Sequence, residues 1–250
     1  MYQRVLFVNS CVAFPPNISL MVEYLLAFEA LVAIFVIQLV LGLTFFPYPR
    51  FHFQRRLQHF LSGMLVLYCQ RNFPEKEFYA FLLGGIFFTG GIHYVRLYIG
   101  FVQKLFIFFF GQILRGPEKS GNEIPGAVFF LFGNLISFIL FPRNFCSLSI
   151  IAVAVGDPMA GICGVYFNSF TIIGKKTFAG TIFCGLSAGI AGLVFLDSRN
   201  PTIFVALALS SALAELFSFV DDNLTMPILF RMCFKLCLLV VPELNSIYMS

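Results

Sequence analysis

A chain of 250 residues, 59% of them hydrophobic, 11% charged and 35 of them phenylalanine, lies far outside the composition of ordinary soluble domains. Its mean hydropathy of +0.90 predicts a multi-pass membrane protein, and a net charge of only +4 fits a positive-inside bias better than nucleic-acid binding. Seven cysteines with no CxxC pair exclude a zinc site or disulfide framework and read as small core residues.

The first fifteen residues are apolar but run into Phe14, Pro15 and Pro16 without a basic start or a small-residue cleavage site, so no removable signal peptide is expected. Apolar runs then predict spans at 30–46, 57–70, 78–95, 125–141, 146–167, 178–196, 201–219 and 224–241. The second is short, and a helix there has to be buried or extend upward into "FHFQRR". Residues 97–115 carry Gln103, Lys104 and Gln112 and read as an interfacial or re-entrant helix with Lys104 and Arg115 snorkelling. With eight spans, nine basic residues fall on one face and five on the other, which makes the first face cytoplasmic. The fold class expected is therefore all-α: a polytopic membrane helical bundle of about 7–8 transmembrane helices. It forms a single domain over 1–250, with a variable tail and first span at 1–54 and a catalytic core at 55–230. "GLSAG" (Gly185 to Gly189) predicts a close helix–helix approach.

Four polar groups interrupt this apolar chain. "RRLQH" places Arg55, Arg56 and His59 at the entrance to the second span; alone it reads as a charged anchor. "GDPMAGICG" sets Asp157 between Gly156 and Pro158, although a carboxylate at mid-bilayer costs roughly 2.5–3.5 kcal/mol. Because proline is tolerated in a first helical turn and aspartate caps well, the motif predicts a discontinuous helix restarting at Pro158. Its glycines then allow phosphate to approach the positive helix end.

"GKKTFAGT" combines Gly174, Lys175 and Lys176 with Thr177 as a helix cap, then Gly180, so ammonium, hydroxyl and backbone donors converge on an anion without Walker spacing. "AELFSFVDDN" puts Glu215 seven residues before Asp222, on one helical face, beside Asp221 and Asn223. Carboxylates at that density without basic neighbours predict a divalent cation such as magnesium. Joined, the four groups predict a hydrated pocket where a metal-bound polyphosphate meets a membrane-dissolved substrate.

In order and spacing, "RRLQH", "LRGPE…GAVFFLFGNLIS", "GDPMAGICG", "GKKTFAGT" and "VDDNLTMP" resemble the family of CTP-dependent polyisoprenoid-alcohol and diacylglycerol kinases, which includes dolichol and phytol kinases. The resemblance covers about residues 55 to 230. It implies transfer of the CTP γ-phosphate, with Mg2+, to the hydroxyl of a membrane lipid alcohol. Its partners are then CTP, that alcohol and the bilayer, with no nucleic acid.

Carried over residue by residue, it implies Asp157, Lys175, Lys176, Glu215 and Asp222 as catalytic, with Asp157, Asp221 and Asp222 holding the metal. Arg55, Arg56, His59, Arg115, Glu118, Gly156, Gly174, Thr177, Gly180 and Asn223 are then expected to bind substrate or nucleotide. His93, where an acidic residue three before Arg96 is expected, and the bulky "VYFNSF" depart from the pattern. The active site is expected to face the cytoplasm, in the endoplasmic reticulum of a eukaryote or the inner membrane of a bacterium. Two rival readings are a phosphatidate cytidylyltransferase, whose signature turn is absent, and an ion-coupled transporter, whose inverted repeats are not found.

Overall fold

The computed structural model describes residues 52–241, together with Glu29, Val32, Ala33, Val36, Ile37, Leu39 and Val40. The expected first span at 30–46 falls largely outside the described residues. The others form helices close to their expected limits: α1 (Phe53–Asn72), α2 (Glu75–Tyr98), α3 (Gly100–Phe110), α4 (Gly116–Ser120), α5 (Gly126–Leu140), α6 (Arg143–Ile151), α7 (Asp157–Tyr166), α8 (Phe178–Phe195), α9 (Pro201–Leu216) and α10 (Asp222–Val240). A short antiparallel pair, β1 (Thr171–Ile173) and β2 (Lys176–Thr177), links α7 to α8. The weak second segment does extend into "FQRR", as its length required. Residues 97–115 do not form one interfacial helix, because the chain leaves α2 at Ile99 and starts α3 afresh.

What the sequence over-reads is length. Four described stretches, α2, residues Phe145–Tyr166, α8 and α10, are long and apolar enough to cross a membrane by length and composition; α3, α5 and α9 are shorter. Since a span needs about 20 residues, the 15 of α5 and the 16 of α9 fall short of it. Helix α1 has the length, but spends it on Gln54, Arg55, Arg56, Gln58, His59 and Gln70. The expectation of 7–8 transmembrane helices is corrected by that count. The eight-span topology, its cytoplasmic face and the multi-pass localisation fall with it. Replacing them is a packed helical bundle whose interior holds ion pairs as well as apolar side chains. Large apolar groups also cover its outside, where Phe87, Tyr98, Phe101 and Val240 are each at least 70% exposed.

At the centre lies a π-helical turn, Ala152–Gly156, joining α6 to α7. The discontinuous helix expected here is not formed: Gly156 and Asp157 keep right-handed helical dihedrals, and Asp157 makes no cap. The physical reason is the wider turn. Proline has no N–H for the preceding turn, so Pro158 leaves the Val153 carbonyl, five residues back in the π turn, without its helical donor, and the wider turn lets a side chain reach it. Helix α1 supplies that side chain: His59 Nε2 lies 3.2 Å from the Val153 carbonyl. In the next turn Arg56 Nη1 donates to the Pro158 carbonyl at 3.1 Å. Ala154 seats so closely on α1 that a Cβ on Gly63 would come within 2.3 Å of its own.

Around this centre the helices pack in a chain of neighbours: α7 on α8, α8 on α9, α9 on α10, α10 on α5 and α5 on α2. Gly185 and Gly189 face α9, where added Cβ atoms would lie 2.6 Å from the Ala208 carbonyl and 2.9 Å from Phe204, giving the close approach that "GLSAG" predicts. A second proline, Pro227, sits inside α10 and cannot donate to the Asn223 carbonyl four residues back. Gly133 of α5 fits against that freed backbone, where a Cβ would lie 2.5 Å from the Asn223 oxygen. Backbone cannot yield as a side-chain tip can. Gly133→Ala is therefore expected to cost about 1–3 kcal/mol, read as a lower midpoint in chemical denaturation.

Candidate functional site

Two adjoining features meet at α1 and α10, where His59 and Asn223 stand. One is a buried cluster of charges, the other an apolar cavity with a polar end.

The cluster is centred on Lys176. Gly174 takes φ +56° in the turn between β1 and β2, a left-handed conformation that suits glycine. That turn separates the twin lysines: Lys175 is exposed, whereas Lys176 turns inward. Its ammonium donates to Asp222 Oδ1 at 2.6 Å and lies 3.3 Å from Glu215 Oε1. Thr181 donates its hydroxyl to the other Glu215 oxygen at 2.7 Å. Glu215 and Asp222 are on different helices, since α9 ends at Leu216, and not on one helical face as expected. Burial pushes the Glu215 carboxyl upward, and Lys176 and Thr181 offset part of that rise. Burial also pulls the Lys176 ammonium down, but Asp222, Glu215 and Asp157 together outweigh it and leave it above its usual value.

Asp157, whose side chain is 31% exposed, borders this cluster with one oxygen 4.0 Å from His59 Nε2. His59 is held edge-on by Phe130, their ring centres 5.2 Å apart. Burial lowers the His59 pKa; Asp157 and the Val153 carbonyl oppose that, while Arg55 adds to it.

On the other side of Asp222, Asp221 caps α10 by accepting from the Asn223 N–H at 3.0 Å and pairs with Arg115 at 3.0 Å. Glu118, 3% exposed, is spent on backbone: its carboxylate accepts from Arg115 N at 2.6 Å and Gly126 N at 2.9 Å. The loop bearing Glu118 is fixed by Arg96, which donates to the Glu118 carbonyl, to Gln103 at 3.3 Å and, through Nε, to His93 Nδ1 at 3.2 Å. The His93 that departs from the family pattern thus serves as an acceptor for Arg96.

The cavity of about 250 Å³ runs between α1, α2, α3 and α5. Phe81, Phe106, Phe110, Phe130 and Leu131 make most of its wall, while Arg55, His59, Glu118 and Asn223 form its polar end. Arg55 makes neither a hydrogen bond nor an ion pair with any described residue. Asn223, 6% exposed, donates from Nδ2 to the Gly126 carbonyl at 3.3 Å. Its Oδ1 is buried and accepts nothing from the described residues.

Of the expected site residues, Arg55, Arg56, His59, Arg115, Glu118, Asp157, Lys176, Glu215, Asp221, Asp222 and Asn223 converge on this region. Lys175 and Gly174 stay at the surface. Gly156 and Gly180 are packing positions, where added Cβ atoms would lie 2.9 Å from Cys184 Sγ and 2.9 Å from the Ala160 carbonyl. Thr177 caps α8 as expected, accepting from Gly180 N at 3.2 Å. The three aspartates expected to share a metal face different partners. Among the described residues no group of three or more His, Cys, Asp or Glu is placed to hold a metal ion. Sequence reading missed the role of Thr181 as a donor to Glu215, though the hydroxyl stands four residues after Thr177 on the same helix face. It also missed the phenylalanine cavity, since 35 phenylalanines make no one of them conspicuous.

No protein-family model matches the chain, and no solved structure is similar to it. An uncharacterized protein of Rickettsia prowazekii is 27% identical over 134 residues, covering 51% of this chain and 66% of that protein's length. The resemblance to the CTP-dependent kinases is corrected by these findings. The chain matches no family model, and it folds as a bundle with buried ion pairs and a small hairpin in place of a polytopic membrane kinase. CTP-dependent phosphorylation of a lipid alcohol, cytidylyl transfer and ion-coupled transport are set aside with it. Each presupposed a transmembrane bundle, and the two phosphate-transfer readings a metal or nucleotide cluster as well, which the described residues do not supply.

Two measurements test the cluster. Removing one partner of a buried ion pair costs about 3–5 kcal/mol, and the partial exposure of Asp222 moves the expectation to the low end. Lys176→Met is expected to lower stability by about 3 kcal/mol in urea unfolding, against a negligible change for Lys175→Met. Because the folded His59 pKa lies below its ordinary 6.5, the unfolded chain binds the extra proton between the two values. The stability it confers is full above the ordinary pKa and is lost as pH falls below it. The unfolding midpoint should drop between about pH 7 and about pH 5, and His59→Gln should flatten that slope.

Proposed function

We propose that this chain binds a small amphipathic molecule with an oxyanion head, a carboxylate or phosphate ester, on a short apolar body. One observation carries the reading: Arg55, a guanidinium without a hydrogen-bonding or ion-pair partner among the described residues, forms part of the polar end of an otherwise apolar cavity. A half-buried cation left unpaired forgoes charge-assisted hydrogen bonds that an anion would supply. The neighbouring carboxylates do not take that role, since Glu118 is held by backbone donors and Asp221 by Arg115.

Ligand sites are commonly mostly apolar, with a few polar groups that fix orientation. The aromatic wall supplies the apolar part, each buried methylene contributing about 0.8 kcal/mol. At about 250 Å³ the cavity lies just below the usual range of about 300–1,000 Å³, which suits a chain of roughly decanoate length and not a long polyprenol. Phe88, 61% exposed and part of the wall, places the cavity at the surface on the α2 side.

Calorimetric titration of the full chain with decanoate, decyl phosphate and decanol tests the reading. The two anions are expected to bind at least tenfold more tightly than the alcohol. Since a hydrogen bond to a charged group is worth about 1.5–3 kcal/mol, Arg55→Met should weaken anion binding by roughly tenfold to a hundredfold and leave decanol unchanged. Equal affinity for all three probes would refute it.

A further inference from the structure

The polar groups of the cavity are not confined to the end where Arg55 stands. Arg55, Gln58, His59 and Ser62 recur at helical spacing along α1, and all four line the cavity before the wall turns apolar at Val66. Gln58 lies about 4.5 Å beyond Arg55 along the helix axis, and Ser62 about 6 Å beyond Gln58. Across the cavity is α2, joined to α1 by Phe73 and Pro74 alone. Counted back from that turn, Thr89 stands as far along α2 as Gln58 does along α1, and it too lines the cavity. A second polar level thus follows the oxyanion end, before the apolar side chains of Val66 and Phe81.

Both sides of this level have hydrogen-bonding capacity to spare. Gln58 Nε2 gives one hydrogen to Ser62 Oγ at 3.4 Å, and because Ser62 is itself part of the wall, the Gln58 amide is held along the cavity. A carboxamide has a second hydrogen, which meets no acceptor among the described residues. Thr89 gives its hydroxyl hydrogen to the Gly85 carbonyl at 2.7 Å, which leaves Oγ1 as an acceptor. One donor from α1 and one acceptor from α2 are what a secondary amide requires. Building on the proposed oxyanion site, we infer that its ligand is an N-acyl amino acid. The carboxylate is bound by Arg55, the amide carbonyl accepts from Gln58, the amide N–H donates to Thr89, and the acyl chain runs on toward Val66 and Phe81. The single carbon between carboxylate and amide in such a molecule fits the short step from Arg55 to Gln58. An amide taken from water into an apolar wall without partners binds far worse than the methylenes it replaces, so affinity for it separates a site built for an amide from a merely apolar one.

Titration of the full chain with N-heptanoylglycine and with decanoate decides the matter, since their chains are equally long and differ by an amide in place of two methylenes. Wild type is expected to bind the amide acid at least as tightly as decanoate. In Gln58→Leu the carbonyl loses its donor, and N-heptanoylglycine is expected to bind at least about tenfold more weakly than decanoate. Decanoate itself stays within about threefold of its wild-type affinity, which shows that the cavity is intact. Weaker binding of N-heptanoylglycine than of decanoate by wild type overturns the inference and leaves the oxyanion site standing. Parity that survives in Gln58→Leu overturns it as well. Failure of wild type to bind either acid overturns both readings. Should Gln58→Leu fail to fold, Thr89→Val, which removes the acceptor at nearly constant volume, takes its place with the same expected reversal.

Discussion

The π-helical turn before Pro158 is the constraint on which the rest of the bundle depends. A proline in mid-helix costs about 3 kcal/mol or more when its freed carbonyls stay unbonded. Here the expense is offset from outside the helix by His59 of α1, at the Val153 carbonyl, while Arg56 ties α1 to the Pro158 carbonyl one turn on. That repair fixes more than one helix. It sets the rotation of α1 about its axis, since Arg56 and His59 have to face α7 and the π turn, and neighbouring Arg55 is then carried round toward the cavity. It also explains Gly161, where a Cβ would lie 1.4 Å from Arg56 Nη1: the glycine admits a guanidinium.

Buried charges are distributed through the molecule by the same logic of local satisfaction. Arg231, 1% exposed, has no carboxylate of the described residues within ion-pair distance; it donates to Ser149 at 3.0 Å and to the Ser137 carbonyl, and stacks 5.4 Å from the centre of the Phe141 ring. Arg96 is treated alike, with Phe106 at 4.3 Å. Guanidinium suits this use because its planar fork satisfies several oxygens at once and its face tolerates an aromatic ring. Among the described residues, charges of opposite sign meet in the interior as a network around Lys176. An interior of this kind gains definition from its polar contacts, each of which admits one arrangement.

Much of the helical architecture was legible in the sequence. The apolar runs ended at recognisable signals: Pro74, Pro125 and Pro142 before their helices, Asn200 and Asp221 as caps. Such runs report that a segment is buried or apolar, without distinguishing a core helix from a membrane span when the length is 15 or 16 residues. That ambiguity produced the excess of expected spans. The site residues were recognisable because charge stands out in so apolar a chain, and most do converge. Their pairing was not recognisable. Glu215 and Asp222 were read on one helix because nothing between them signals a break as glycine or proline would, and the cation that joins them lies 46 residues away along the chain for Asp222. Distance in sequence of that kind carries no local signature.

The hairpin that carries Lys176 has a consequence for how the molecule assembles. One of its strand residues, Lys176, supplies the counter-ion for carboxylates on α9 and α10, while the hairpin itself contributes little apolar burial. Without the Lys176 ammonium, Glu215 and Asp222 would approach across the α9–α10 seam as like charges, and their mutual repulsion would hold it ajar. Lys176 is the latch of that seam.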